Sequence, residues 1–118
     1  MTQKTILLIA SALGALTVAI GAFGAHALAK LLESSGRVDT FETAVKYQMY
    51  HTLALLAVGL LLFRVEQPAL QVAAWCFFLG ILIFSGSLYV LCLSGITWLG
   101  AITPIGGTLF IVGWGALF

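Results

Sequence analysis

The sequence predicts an all-α membrane protein: a four-helix transmembrane bundle with up-down connections and both termini on the same side. Three observations support this prediction. Hydrophobic residues make up 62% of the chain and charged residues only 8%, far from the balance of a soluble domain. Four apolar runs are each long enough to cross a bilayer. The polar links between them are short, so consecutive helices should be antiparallel.

The whole chain is expected to form one integral-membrane domain, since a water-soluble monomer of 118 residues could not bury so much apolar surface. The net charge is only +1, and no charged residue follows Glu66. Without a basic stripe, nucleic acid is excluded as a partner, and the lipid bilayer is the expected surrounding. The predicted helices lie at about 5–34, 40–63, 68–93 and 97–118.

The first predicted helix includes an apolar run of about 25 residues, longer than the core of a signal peptide. Ser34, Ser35 and Gly36 are typical of a helix end, with Gly36 in the left-handed conformation. Small residues occupy two faces of this helix, and they permit close helix approach in lipid. The pattern predicts a central helix that packs from both sides. The two faces are Ala15, Ala19, Ala22 and His26, and Gly14, Thr17, Gly21 and Gly24.

The second predicted helix follows the only strongly polar segment of the chain, residues 30–46. Asp39 is predicted as its N-cap residue, with Glu42 reaching back to complete a variant of the capping box. The positive-inside rule slightly favours a cytoplasmic location for this segment, because it carries one basic residue more than the other end.

The last two predicted helices begin at prolines or contain one. Pro68 suits the first position of the third helix, and Pro104 should kink the fourth helix or break its start. Trp98 and Trp114 are predicted interface anchors. Cys76 and Cys92 lie sixteen residues apart in one apolar run, about 24 Å along a helix, so they are interpreted as unpaired buried thiols. Small residues predicted to pack helices together are Gly14, Gly21, Gly80, Ser87, Gly106, Gly107 and Gly113.

The two histidines, His26 and His51, are the residues most capable of chemistry. If the first two helices have the predicted ends, both rings lie at similar depth and face the bundle interior. Three interpretations remain open. Each ring could simply bond a neighbour such as Tyr47, Gln48 or Thr52; the pair could hold a metal ion or haem; or it could handle protons. The first is the expectation, so no cofactor is predicted.

Tyr47, Gln48, Tyr50 and Thr52 place hydroxyl and amide groups beside His51 within about one helical turn. They are candidates to line a small polar pocket near the 30–46 segment. The alternative is an ordinary belt of tyrosines and polar residues at the membrane interface.

Known catalytic motifs are missing, so we expect no enzymatic activity. The sequence contains no phosphate-binding glycine loop, no H-E-x-x-H, no C-x-x-C and no G-x-S-x-G. The chain has the size of the small multidrug transporters, which depend on a carboxylate inside the membrane. Here Glu33, Asp39, Glu42 and Glu66 all belong to connecting segments, which argues against proton-coupled export.

Four motifs together resemble one family. They are GAFGAHAL at 21–28, F-x-T-A-V-x-Y-Q-x-x-H at 41–51, FSGSLY at 84–89 and TPIGG followed by GW at 103–107 and 113–114. The chain is similar along its whole length to the YgdD/YwdK-like group, domain of unknown function 423, with relatives in the eukaryotic transmembrane protein 256 group. The resemblance implies four transmembrane helices and a bacterial inner-membrane location, and the family carries no assigned activity.

The function predicted from these observations is that of a small multi-pass inner-membrane protein. It would self-associate or serve as an accessory or assembly subunit of a larger membrane complex. Haem or metal binding through His26 and His51 is one alternative, and a small transporter or proton-handling protein is the other.

Overall fold

The computed structural model describes residues 1–118 and is all-helical, which confirms the predicted class. Three segments are long and apolar enough to cross a membrane, namely Gln3–His26, Pro68–Ser94 and Thr97–Leu117. A 3-10 helix, Thr97–Ala101, precedes the last α-helix. The five α-helices are α1 (Gln3–His26), α2 (Ala29–Ser35), α3 (Val38–Leu61), α4 (Pro68–Ser94) and α5 (Thr103–Leu117).

The first predicted helix is in fact two, so its prediction as one helix to residue 34 was wrong. α1 ends at His26, and the Leu28 N–H bonds the Phe23 carbonyl, one residue further back than the α-helical pattern. The turn redirects the chain so that Leu32 is buried against Phe41 and Cys92. Tertiary burial of Leu32 therefore outweighs the local preference for a continuous helix.

The end of α2 agrees with the sequence, but the start of α3 does not. Gly36 has φ of 70°, the predicted left-handed conformation. α3 then begins directly at Val38, with Arg37 at the N-cap position and no side-chain hydrogen bond there. The prediction of Asp39 as N-cap was wrong. Asp39 instead lies in the first helical turn, where its carboxylate interacts favourably with the helix dipole.

The helices are arranged around α3 and α4, which pack against each other at the centre. α1 packs on α3, and α5 packs on α4. The prediction that the first helix is central was therefore wrong. Its glycine face contacts α3, whereas Ala15, Ala19 and Ala22 on the other face are exposed. The main core is formed where α3 and α4 meet, around Leu55, Val58, Ala73 and Phe77.

The prolines occupy the predicted positions. Pro68 lies in the first turn of α4, and Pro104 lies in the first turn of α5, after the 3-10 helix. The predicted broken start is thus confirmed.

Both chain termini lie at one end of the molecule, here called the terminal end. The Met1 ammonium donates to Gln71 Oε1 at 2.6 Å, near the start of α4. Gly113 faces Phe77, so the antiparallel α5 brings Phe118 level with the same turns of α4. The opposite end carries α2, Gly95 and the 3-10 helix, and is called the loop end.

Candidate functional site

His51 is buried where α3 faces α4 and α5, with 6% of its surface exposed. Its Nδ1 lies 2.7 Å from the Tyr47 carbonyl oxygen, and its Nε2 lies 3.2 Å from Trp114 Nε1. An indole N–H can only donate, so Nε2 accepts from Trp114 and Nδ1–H donates to Tyr47. The imidazole is therefore neutral in this arrangement, and both ring nitrogens are engaged.

Aromatic rings enclose His51 and connect three helices. The Phe110 ring of α5 stacks on the imidazole, with centroids 3.5 Å apart and planes 7° apart. Phe77 of α4 lies at 5.8 Å from the imidazole. Tyr47 stacks on Phe84 of α4 at 4.8 Å. His51 is thus a packing element that joins α3 to α4 and α5.

His26 lies apart from His51, as the last residue of α1, and its side chain is exposed. Its Nδ1 is 2.8 Å from the Ala22 carbonyl oxygen. In the antiparallel register of α1 and α3, Gly14 faces Thr52 and Gly24 faces Phe41. The two histidines are therefore about 16 Å apart along the helices.

The prediction that both rings occupy one interior layer was wrong. It depended on a first helix extending to Ser34, and the break after His26 removes that assumption. The structure does not bring His26 and His51 to a common ligand. It also contains no group of three or more His, Cys, Asp or Glu side chains that could hold a metal ion.

Gln48 is the centre of a buried polar cluster at the junction of α1, α3 and α4. Its side chain is 2% exposed; Oε1 accepts from the Tyr89 hydroxyl, and Nε2 lies 3.5 Å from the Leu13 carbonyl. Thr17 Oγ1 donates to the same Leu13 carbonyl at 2.6 Å. The cluster ties the three helices together, because each buried polar group needs a partner where water is absent.

The four residues predicted to line a polar pocket do not share one. Gln48 and Thr52 are buried between helices, whereas Tyr47 and Tyr50 are 40% and 55% exposed. Thr52 Oγ1 is buried without a hydrogen-bond partner. Sequence reasoning missed Tyr89 and the role of Trp114 as a donor, since neither is a neighbour of its partner in the chain.

A groove lies at the loop end, separate from the Gln48 cluster. It has a volume of about 550 Å³ and lies between α1, α2 and the first turns of α3. Its floor includes Gly21, Phe41 and Val45, and its rim carries charged side chains.

Three glycines of α4 and α5, namely Gly80, Gly106 and Gly113, lie at close helix contacts. A Cβ atom on Gly106 would lie 2.5 Å from the Phe84 backbone nitrogen. A Cβ on Gly80 would lie 2.6 Å from the Phe110 ring, and one on Gly113 would lie 2.8 Å from Phe77. Such distances leave no room for a side chain.

The other predicted packing residues lie in looser contacts. A Cβ atom would meet Thr52 at 3.9 Å from Gly14, Val45 at 3.4 Å from Gly21, and Phe84 at 3.8 Å from Gly107. Ser87 Oγ and Thr103 Oγ1 are 2.7 Å apart, a hydrogen bond between α4 and α5. Cys76 and Cys92 are free and buried.

Residues 20–107 match a family model described as "Protein of unknown function (DUF423)". The chain belongs to this family. The matched segment contains both histidines, Gln48 with its partner Tyr89, and the loop-end groove, together with Gly80 and Gly106 of the α4–α5 contact. The resemblance inferred from the four motifs is thereby confirmed.

Individual relatives in the DUF423 family are named as membrane proteins. A UPF0382 membrane protein of Staphylococcus saprophyticus is 49% identical over 112 residues, 95% of this chain and 92% of the relative. YwdK of Bacillus subtilis is 39% identical over 113 residues, 95% and 91% of the two chains. YgdD of Escherichia coli, named an inner membrane protein, is 36% identical over 120 residues, 97% and 86% of the two chains. No solved structure matches the chain.

Proposed function

We propose that this DUF423 protein is a four-span inner-membrane protein that self-associates through the outer face of α1. α3 is the fourth span in this proposal. It has 24 residues, about 36 Å of helix, and packs between α1 and α4, both long and apolar enough to cross a membrane. A helix held between two spans runs across the bilayer with them. The bundle is then up-down, with both termini on one side.

The observation that carries self-association is the composition of the outward face of α1. Exposed residues recur on it every three or four positions, a spacing typical of left-handed helix packing. Most are small, and small residues turned to lipid gain little, whereas they allow two helices to approach closely. Large exposed residues of α1 such as Leu16 and Val18 flank this small row, whereas the outward faces of α4 and α5 carry large residues such as Leu82 and Ile111. The row on α1 consists of Leu8, Ala12, Ala15, Ala19, Ala22 and His26.

A second copy of the chain is the partner that suits this face best. The row is about 27 Å long, most of a bilayer core, and two copies related by a two-fold axis along the membrane normal place it against itself. The two His26 side chains then meet near the loop end, where the imidazoles can bond each other or water.

Cysteine crosslinking in native membranes tests this proposal. Single cysteines at Ala15, Ala19 and Ile111 are introduced into a Cys76→Ala/Cys92→Ala background. We expect oxidation to crosslink two copies through Ala15→Cys and Ala19→Cys, while Ile111→Cys, exposed on α5, stays monomeric. Combining either cysteine variant with Ala22→Leu should reduce the crosslinking.

Two results would contradict a homodimer. Equal crosslinking at Ile111→Cys would indicate random collision, and absence of crosslinks along the α1 row would show that lipid covers it. A crosslink from the row to a different protein would instead support the role of accessory subunit in a larger complex.

The proposal includes no enzymatic activity and no resident cofactor. Both nitrogens of His51 are engaged, and His26 is distant from it, so haem or metal binding by the pair is not proposed. Transport and proton handling have no specific support, because the acidic residues lie at helix ends and links.

A Ser35→Cys variant tests on which side of the membrane the 30–46 segment lies. We expect labelling from the cytoplasmic side, and labelling from both sides would favour dual topology and a transporter.

A further inference from the structure

The loop-end groove combines an apolar floor with a charged rim. The floor is made of small and apolar residues of α1 and α3, among them Gly21, Gly24 and Val45. The rim carries three exposed charged side chains, Glu33 from α2 and Glu42 and Lys46 from α3. α1 ends at His26, and the separate helix α2 contacts both α1 and α3, so the groove is bounded by all three helices.

The position of the groove along α1 matches the boundary between lipid headgroups and acyl chains. Gly21 lies about 7 Å before the end of the membrane-spanning α1. Glu33, on α2, lies beyond that end. The floor is therefore at the depth of the upper acyl chains, with Lys46 at nearly the same level as its neighbour Val45, and the carboxylates of Glu42 and Glu33 lie successively closer to the headgroups.

Charge complementarity identifies the occupant. Two carboxylates and one ammonium line the same opening, so the best ligand presents a cation with N–H donors next to an anion. A phosphoethanolamine headgroup has this pattern, with its ammonium toward Glu33 and Glu42 and its phosphate toward Lys46. A choline headgroup has no N–H to donate, and an anionic glycerol headgroup would face two carboxylates.

We propose that this groove binds one phospholipid with a primary-amine headgroup, whose acyl chain lies over Gly21 and Val45. Gly21 keeps the floor open, because a side chain at this position would project toward Val45. The other sizeable cavity of the molecule, at the terminal end, has a polar lining that includes Gln3, Glu66 and Gln71 and offers no comparable apolar floor. The lipid site goes beyond self-association, and it lies on residues other than the exposed row of α1.

Native mass spectrometry of delipidated protein tests the proposal. Phosphatidylethanolamine, phosphatidylcholine and phosphatidylglycerol with identical acyl chains are added separately to protein in a neutral detergent. We expect the wild-type chain to retain the ethanolamine lipid at least tenfold better than the other two. The double variant Glu33→Gln/Glu42→Gln should lose this selectivity, and Lys46→Gln should lower retention of the ethanolamine lipid severalfold.

Matched controls separate the site from general effects. Glu66→Gln removes a carboxylate at the opposite end and should leave selectivity unchanged. Gly21→Leu should fill the floor and reduce retention of all three lipids, whereas Gly115→Leu, where nothing lies within 4 Å, should not. Glu33, Glu42 and Lys46 are exposed, so their variants should fold. These variants test the proposal even if Gly21→Leu fails to fold.

Three outcomes would overturn the proposal. Equal retention of the ethanolamine and choline lipids would exclude recognition of N–H donors. An equal loss of lipid selectivity in Glu66→Gln would place the recognition outside the groove. No retained lipid on the wild-type chain would show that the groove is not a lipid site.

Discussion

α5 packs on α4 and α1 packs on α3, and both pairs place glycines in the contact, but at different separations. A Cβ atom on Gly106 of α5 would lie 2.5 Å from the backbone of Phe84, whereas one on Gly14 of α1 would lie 3.9 Å from a side-chain carbon of Thr52. The α4–α5 contact is thus backbone against backbone. The α1–α3 contact is glycine against side chain: Gly24 lies tightly against the Phe41 ring and Gly59 against Leu7, whereas Gly14 and Gly21 are looser.

The polar groups of the two contacts also differ. In the α4–α5 contact, the side chains of Ser87 and Thr103 bond each other. In the α1–α3 contact, side chains bond the backbone: Gln3 Nε2 donates to the Gly59 carbonyl at 3.0 Å and Gln48 Nε2 lies 3.5 Å from the Leu13 carbonyl, while Thr52 Oγ1 has no partner. Backbone-to-backbone packing is therefore concentrated in the α4–α5 contact, whereas the α1–α3 contact is loose at Gly14 and at Gly21, beside the loop-end groove.

Gly106→Ala should have the largest effect and gives the strongest test of the comparison. The new methyl would collide with the Phe84 backbone, so α5 must move away, and we expect a loss of about 3 kcal/mol or failure to fold. Gly107→Ala is the matched control, with its nearest neighbour at 3.8 Å, and should change stability by less than about 1 kcal/mol. The temperature at which the buried thiols Cys76 and Cys92 become reactive toward a thiol reagent measures the stability of both variants. Similar losses at the two positions would contradict the tight contact.

Gly24→Ala should have the next largest effect, because Gly24 makes one of the two close glycine contacts on the α1–α3 side; the other is Gly59 against Leu7. Its Cβ would overlap the Phe41 ring, which packs between α1 and Tyr89. We expect a loss of about 1–3 kcal/mol in the thiol assay. Phe41→Leu in the same chain should restore part of it by vacating space. A loss just as large for Gly21→Ala, whose nearest neighbour is at 3.4 Å, would show that the whole interface is tight.

Trp114→Phe should destabilise the α3–α5 contact by about 1–2 kcal/mol, because it leaves the buried Nε2 of His51 without its donor. Trp98→Phe is the control, since Trp98 is 65% exposed. His51→Gln should be milder than His51→Leu, because an amide can replace part of the hydrogen bonding. A double-mutant cycle on His51 and Trp114 measures the coupling, and strict additivity would contradict their bond.

Gly14→Ala should have the smallest effect and the opposite sign. With its nearest neighbour at 3.9 Å, the methyl fits, and the lower entropy loss of alanine should raise stability by roughly 0.5–1 kcal/mol. Gly115→Ala, with open space around it, should behave alike. Destabilisation by Gly14→Ala alone would mean that α1 approaches α3 more closely at Gly14 than the 3.9 Å distance indicates.

Local signals in the sequence determined the helical class, the membrane environment and several helix ends. Gly36 adopts a left-handed conformation that is common at helix ends. Pro68 and Pro104 lie in the first turns of α4 and α5, where a backbone N–H has no acceptor within the helix, so proline loses no hydrogen bond there. These features depend on residues a few positions apart. The motifs at 21–28, 41–51, 84–89 and 103–114 were likewise sufficient to indicate the family.

Long-range contacts decided the rest. The break after His26 depends on burial of Leu32 against Phe41 and Cys92, and it removed the predicted pairing of His26 with His51. The partner of His51 is Trp114, 63 residues away, and that of Gln48 is Tyr89, 41 residues away. Periodicity shows which residues share a face of a helix but not which neighbour meets that face. Only tertiary packing therefore placed α3 at the centre and opened the groove beside α2.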